Sequence, residues 1–65
     1  MFKVELKVVN KVNEKCRYYL IPLNVMEQLD EAFENLVKER LKDKSDDFYS
    51  GYTKKDFTYY IEDIG

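Results

Sequence analysis

The sequence predicts an α+β domain whose elements follow the order ββαβ, with one helix on one face of a three-stranded antiparallel sheet in spatial order 2-1-3. Three observations carry this prediction. Apolar and charged side chains alternate over residues 2–8, apolar side chains recur with helical spacing over residues 25–42, and alternation returns over residues 56–63. A period of two residues is typical of a strand with one buried face, and a period near 3.6 is typical of an amphipathic helix.

The first two strands are predicted over residues 2–9 and 16–21, and they form a hairpin because the polar segment between them favours a turn. The second strand is apolar on both faces, with Cys16, Tyr18 and Leu20 on one and Tyr19 and Ile21 on the other. A single-layer sheet commonly exposes a polar face. Either the C-terminal segment covers the outer face of this strand or a partner binds there, although exposed tyrosine is also ordinary on strands.

The helix is predicted over residues 25–42. Pro22 is expected to end the preceding strand, and Asn24 is expected to cap the helix in a capping box with Glu27. From Val25 onward the apolar side chains fall within an arc of about 180° at 100° per residue. Arg40 intrudes on that arc, and its stem is expected to cover apolar surface while its head reaches water.

A loop over residues 43–55 and a third strand over residues 56–63 complete the prediction. No repeat, low-complexity tract or linker interrupts the sequence, so residues 1–65 are expected to form a single domain. A chain of this length buries only about 60% of the surface that its unfolded state exposes. Since such chains often gain stability by association, a homodimer is one expectation.

Catalysis is not expected from these residues. The chain has no histidine and one cysteine, so a nucleophile would lack its usual activating base. Paired carboxylates need a pocket that separates their pKa values, and a domain of three strands and one helix has little volume for one. Asp43, Asp46 and Asp47 lack the spacing of a calcium loop, and the two glycines do not form a phosphate-binding loop. We predict a non-enzymatic protein with no catalytic residue, metal or cofactor.

Location is predicted from the apolar runs and the cysteine. The longest apolar run, residues 18–23, is too short to span a bilayer. The first residues lack the basic segment and apolar run of a signal peptide. A lone cysteine suits a reducing compartment. A cytoplasmic protein that does not bind membranes is expected.

Tyrosines and carboxylates concentrated near the C-terminus predict a contact surface. Residues 43–65 hold six aromatic side chains, and their six acids outnumber three bases. Tyrosine supplies rigid, amphipathic contact area at low entropic cost. The contact surface is predicted on the sheet face opposite the helix and on the loop before the third strand. Its predicted anchors are Tyr19, Tyr49, Tyr52 and Tyr60, and the charges predicted to select the partner are Asp46, Asp47, Glu62 and Asp63.

These observations predict a module that binds another protein. The narrowest version is a small acidic inhibitor, of the type made by phages and mobile elements, that occupies a basic groove of a host enzyme. Two alternatives stay open: a structural or assembly homo-oligomer, and a small nucleic-acid-binding protein that stacks bases on sheet aromatics. Residues 1–22 carry five bases against two acids, which favours the last alternative, but the acids beside the C-terminal aromatics would repel phosphate. Nucleic acid is therefore the less favoured partner.

Overall fold

The computed structural model describes residues 2–65, which form three strands and one α-helix. The elements are β1 (Phe2–Asn10), β2 (Cys16–Leu23), α1 (Leu29–Leu41) and β3 (Phe57–Ile64), with short 3-10 turns at Met26–Gln28 and Lys54–Asp56. The sheet has the order β2-β1-β3, and both pairs of neighbours are antiparallel. The predicted ββαβ fold and strand order are confirmed.

Alternation along β1 separates the two faces of the sheet. Val4, Leu6 and Val8 are fully buried on the face that packs against α1. Lys3 and Glu5 are exposed on the opposite face. Because successive side chains of a strand point to opposite faces, the central strand alone fixes which face receives the helix.

The core consists of two adjacent clusters between the sheet and α1. One contains Val8, Phe33, Val37, Phe48, Tyr49 and Phe57. The other contains Val4, Leu6, Leu23 and Leu29. Phe48 and Tyr49 come from the segment that follows the helix, so this segment belongs to the core although it has no regular structure.

The start of the helix differs from the prediction. The α-helix begins at Leu29 after the 3-10 turn, and neither segment has a side-chain hydrogen bond at its start, so the predicted Asn24 capping box is wrong. A 3-10 turn has 3.0 residues per turn rather than 3.6, which shifts the phase of the apolar pattern. Val25 and Met26 are consequently exposed instead of joining the core.

Pro22 also lies inside β2 instead of ending it. It is paired with Lys3, whose backbone N–H donates to Gly65 O and whose carbonyl accepts from Gly65 N–H. Since Lys3 directs both backbone groups away from β2, the pair needs no hydrogen bond from Pro22. The nitrogen of Pro22 faces the free edge of the sheet, where a proline is tolerated.

The third strand is shifted by one residue from its predicted bounds. Asp56 belongs to the 3-10 turn and accepts a hydrogen bond of 2.9 Å from Thr53 N–H in a capping box, so β3 begins at Phe57. The register then shifts once, because Leu6 pairs with Ile61 whereas Glu5 pairs with Asp63. Glu62 is therefore the extra residue of a β-bulge.

Candidate protein-binding surface

The sheet face opposite α1 has no element packed on it within residues 2–65, and we call it the open face. Strand alternation and register place on it Lys3, Glu5, Lys7 and Val9 of β1, Cys16, Tyr18, Leu20 and Pro22 of β2, and Thr58, Tyr60 and Asp63 of β3. Three of its large side chains are well exposed, Tyr18 at 57%, Leu20 at 62% and Tyr60 at 58%. The open face is therefore less polar than a solvated sheet face normally is.

Cross-strand pairing sets the arrangement of charge on the open face. Lys7 pairs with Tyr18 on one side and with Tyr60 on the other, while Glu5 lies between Leu20 and Asp63. Side chains paired across neighbouring strands have Cβ atoms about 4.5–5.5 Å apart. A lysine thus stands between two exposed tyrosines, and carboxylates follow one step along the sheet.

A concavity of about 400 Å³ lies at the end of the open face, next to Glu5. Its lining consists of Phe2, Lys3, Glu5, Leu20, Asp63 and Gly65. The two backbone hydrogen bonds between Lys3 and Gly65, at 2.9 and 2.8 Å, hold its C-terminal wall. The size lies within the range of ligand pockets, and the mixture of apolar and charged groups suits a side chain of a partner.

Charge on the open face is mixed. Register places Glu5 and Asp63 there together with Lys3 and Lys7, so two carboxylates are matched by two lysines. The pKa of Tyr18 is raised above its usual value, first by its electrostatic interaction with Cys16, whereas Lys7 lowers it. Glu62 is the exposed residue of the bulge in β3.

Tyr49 is a buried core residue, which corrects its predicted role as a contact anchor. Its side chain is 0% exposed, and its hydroxyl shares a hydrogen bond of 2.8 Å with the hydroxyl of Tyr19. Burial raises the pKa of Tyr49, and the hydrogen bond to Tyr19 raises it further. A residue without exposed surface offers no contact area to a partner.

Tyr19 and Tyr52 are half-buried and lie on the helix side of the sheet. The ring of Tyr19 lies beneath Arg40, whose guanidinium carbon is 5.5 Å from the ring centroid. A cation over an aromatic face is attracted by the ring, and this contact differs from the predicted one, in which the head of Arg40 reaches water or the carbonyl end of the helix. The hydroxyl of Tyr52 accepts a hydrogen bond of 3.2 Å from Asn13 Nδ2. Both tyrosines are turned away from the open face.

Asp46 joins the loop to β2 rather than facing solvent. Arg17 donates to its two carboxylate oxygens at 2.5 and 2.8 Å, and the same guanidinium lies 4.9 Å from the ring centroid of Phe48. Arg17 thereby holds the pKa of Asp46 below its usual value, and the Phe48 N–H lowers it further. The neighbouring Asp47 is exposed and has no ion pair among residues 2–65. Of these two predicted selector charges, one is neutralised within the chain.

The eight predicted contact residues thus do not form one surface. Tyr60 and Asp63 lie on the open face and Glu62 lies in the bulge of β3, whereas the loop and helix side hold Tyr19, Asp46, Asp47, Tyr49 and Tyr52. The residues missing from the prediction are Tyr18 and Leu20, which share β2 with Tyr19. Their alternation with Tyr19 was visible in the sequence, but only the pairing of Tyr19 with buried Leu6 decides which set points outward.

Comparisons with family models, with curated proteins and with solved structures found no match for this chain. No helix within residues 2–65 is long and apolar enough to cross a membrane. In the same range, no group of three or more histidine, cysteine, aspartate or glutamate side chains is placed to hold a metal ion. The fold and its surface define a small ββαβ domain with an uncovered sheet face, and a proposal for its function must start from that face.

Proposed function

We propose that this chain is a non-catalytic module that binds another protein through the open face. The observation that carries the proposal is the exposure of Tyr18, Leu20 and Tyr60, each more than half accessible on a single sheet face. Scattered exposed apolar side chains need no explanation. A group of them on one face, bordered by charges, is typical of an interaction site, and tyrosine is enriched at the centres of such sites.

The charges of the open face favour a protein partner over nucleic acid. Lys7 stands between the two tyrosines, but Glu5 and Asp63 offset Lys3 and Lys7, so the face lacks the concentrated positive charge that phosphate binding needs. The complementary partner is a folded protein with an apolar patch that is bordered by charges of both signs.

The inhibitor of a host enzyme stays a prediction of narrower scope. The carboxylates of the open face support it, because they suit a basic groove. Asp46 adds nothing to that support, since Arg17 neutralises it, and Asp47 lies on the loop and not on the sheet. The general proposal, a protein-binding surface, depends only on the open face.

The experiment compares capture by three tagged proteins from a lysate with and without nuclease treatment, quantified by mass spectrometry. The proteins are the wild type, an open-face variant and a control variant in which exposed apolar residues elsewhere are replaced. The open-face variant carries Tyr18→Ser, Leu20→Ser and Tyr60→Ser, and the control carries Val12→Ser, Val25→Ser and Met26→Ser. Circular dichroism verifies that each protein is folded.

We expect the wild type and the control to capture the same protein in stoichiometric amounts, and the open-face variant to lose at least about tenfold in affinity. That loss corresponds to about 1.4 kcal/mol, less than one strong contact residue contributes. Equal capture by the open-face variant would overturn the proposal. Recovery only of the chain itself would favour assembly, and recovery only without nuclease would favour nucleic-acid binding; both would overturn it too.

A further inference from the structure

The outer edge of β2 carries unpaired backbone groups. Asn10 N–H donates to Lys15 O at 2.9 Å, so Asn10 and every second residue of β1 direct their backbone groups toward β2. Their partners in β2 include Arg17, Tyr19 and Ile21. The alternate residues therefore face outward, where the sheet order places no strand: Tyr18 and Leu20 present both N–H and C=O, and Pro22 presents only its C=O. An edge of this kind is a template for an added strand.

A groove runs beside this edge, between β2 and α1. It consists of two concavities of about 520 and 220 Å³ that share Ala32 and Asn35. Its floor is apolar and is formed by Ile21, Ala32 and Leu36, which are all half-buried. We call it the β2 groove. Edge and groove together supply what an extended segment needs, namely backbone partners and a place for alternate side chains.

The rim of the β2 groove is acidic. Glu31, Glu39 and Asp43 line it against a single base, Arg40, whose guanidinium lies over Tyr19. The Ser45 hydroxyl and backbone N–H lower the pKa of Asp43 and favour its carboxylate form. Lys42 Nζ lies 3.3 Å from Glu39 Oε1, but the two side chains are 74% and 72% exposed. Ion pairs this exposed are weak, so Lys42 does little to offset the charge of Glu39.

We infer that β2 and its groove bind an extended segment of another protein as a fourth, antiparallel strand. Aliphatic side chains of that segment enter the groove over Ile21 and Leu36, and lysine or arginine near its ends meets Glu31, Glu39 and Asp43. This site is separate from the open face, so the inference goes beyond the proposed function. Antiparallel addition is preferred because its hydrogen bonds are slightly more stable per residue.

A second copy of this chain suits the groove less well than a free segment does. In a second copy, the β2 side chains on the helix side include Tyr19, Ile21 and Leu23, which already pack in or against the copy's own core. They could not enter the groove of a neighbour without leaving that core. A segment without its own helix has no such restriction.

The probe is the synthetic peptide acetyl-Lys-Thr-Leu-Thr-Val-Thr-Lys-amide, whose Leu and Val would face the groove. Affinity is measured by calorimetry, and amide hydrogen exchange is followed by NMR. We expect exchange at Tyr18 and Leu20 to slow on binding. A peptide with glutamate in place of both lysines is expected to bind at least about tenfold more weakly, because it meets the acidic rim with like charges.

Two comparisons test the added strand itself, one between two variants of the protein and one between two N-methylated peptides. Leu20→Pro removes an outward N–H without affecting the hydrogen bonds between β1 and β2, whereas Leu20→Ala keeps it. We expect Leu20→Pro to weaken peptide binding at least about tenfold and Leu20→Ala to change it less than about threefold. In the peptide, N-methylation of the central Thr, whose N–H faces β2, blocks binding, whereas N-methylation of Val does not. This second pair leaves the protein unaltered and stands if Leu20→Pro fails to fold.

Four outcomes would overturn the inference. They are absence of binding by the wild type at millimolar peptide, equal affinity for the lysine and glutamate peptides, equal affinity for the two N-methylated peptides, and slow exchange of Tyr18 and Leu20 in a dimer without peptide. The last result would assign the edge to a second copy. Leu20→Ala separates this site from the open face, since it should weaken partner capture there while leaving peptide binding intact.

Discussion

Replacing Tyr49 tests whether the segment after the helix belongs to the core. Its ring is fully buried, with centroid distances of 4.8 Å to Phe48 and 5.0 Å to Phe57. Truncating a buried aromatic to alanine costs about 3–5 kcal/mol. A domain of 65 residues has a free energy of unfolding of roughly 3–10 kcal/mol. Tyr49→Ala should therefore remove a third or more of the total stability and leave a marginally folded chain.

Two further variants separate burial from the hydrogen bond. Tyr49→Phe keeps the ring and removes only the hydroxyl that lies 2.8 Å from Tyr19, so the expected loss is about 0.5–1.5 kcal/mol. Tyr60→Ala removes a ring that is 58% exposed, and its expected cost is less than about 1 kcal/mol. The variants thus compare the stability contributed by Tyr49 and by Tyr60, which were both predicted to be contact anchors.

The assay is urea denaturation at neutral pH, followed by far-ultraviolet circular dichroism. Thermal unfolding supplies a second measure, because 1 kcal/mol shifts the Tm of a domain this size by about 4–8 °C. We expect Tyr49→Ala to be destabilised most, and Tyr49→Phe and Tyr60→Ala to stay close to the wild type. A Tyr49→Ala protein within about 1 kcal/mol of the wild type would refute the reasoning, since it would mean that the loop does not fill the core.

Two other predictions concern the contacts that hold this loop. Asn10 is fully buried, and its Nδ2 donates a hydrogen bond of 3.1 Å to Phe48 O. Asn10→Leu leaves that carbonyl unpaired, so it should lower the free energy of unfolding in urea by about 1–3 kcal/mol. A loss below about 0.5 kcal/mol would contradict this prediction. Arg17 lowers the folded-state pKa of Asp46, so the stability that this carboxylate contributes is complete above its unfolded pKa of about 3.9 and is lost as the pH falls through the lower folded value. Between pH 6 and pH 3, the urea concentration at the midpoint of unfolding should therefore fall less in Asp46→Asn than in the wild type. The control Asp47→Asn should behave like the wild type. Equal pH dependence in all three proteins would contradict a stabilising ion pair.

The fold could be predicted because its elements have strong periodicities. Val4, Leu6 and Val8 alternate with charged residues, and Leu29, Phe33 and Val37 recur at helical spacing. The helix start could not be predicted, since the choice between a 3-10 turn and an α-helical turn depends on small differences in backbone energy. The prediction that Pro22 ends the strand was wrong, because a strand tolerates proline where the backbone groups of the paired residue, here Lys3, point away from it.

The candidate surface was harder to predict, because tertiary contacts decide exposure. Tyr49 and Tyr60 have the same side chain, but one is in the core and the other in solvent. Arg17 and Asp46 are separated by 29 residues, and no local pattern indicates that they pair. Tyr18 and Tyr19 are neighbours on a strand that is apolar on both faces, so only the register with β1 shows which one a partner could reach.

Lysine acetylation in the presence of the captured partner tests the proposed contact surface most directly. Lys3 and Lys7 lie on the open face, whereas Lys38 is exposed on α1 and Lys55 is exposed in the turn before β3. Mass spectrometry would measure the acetylation rate of each residue in the free chain and at saturating partner. We predict that the partner slows acetylation of Lys3 and Lys7 and leaves Lys38 and Lys55 unchanged. Protection of Lys38 and Lys55 with unchanged Lys3 and Lys7 would contradict binding at the open face.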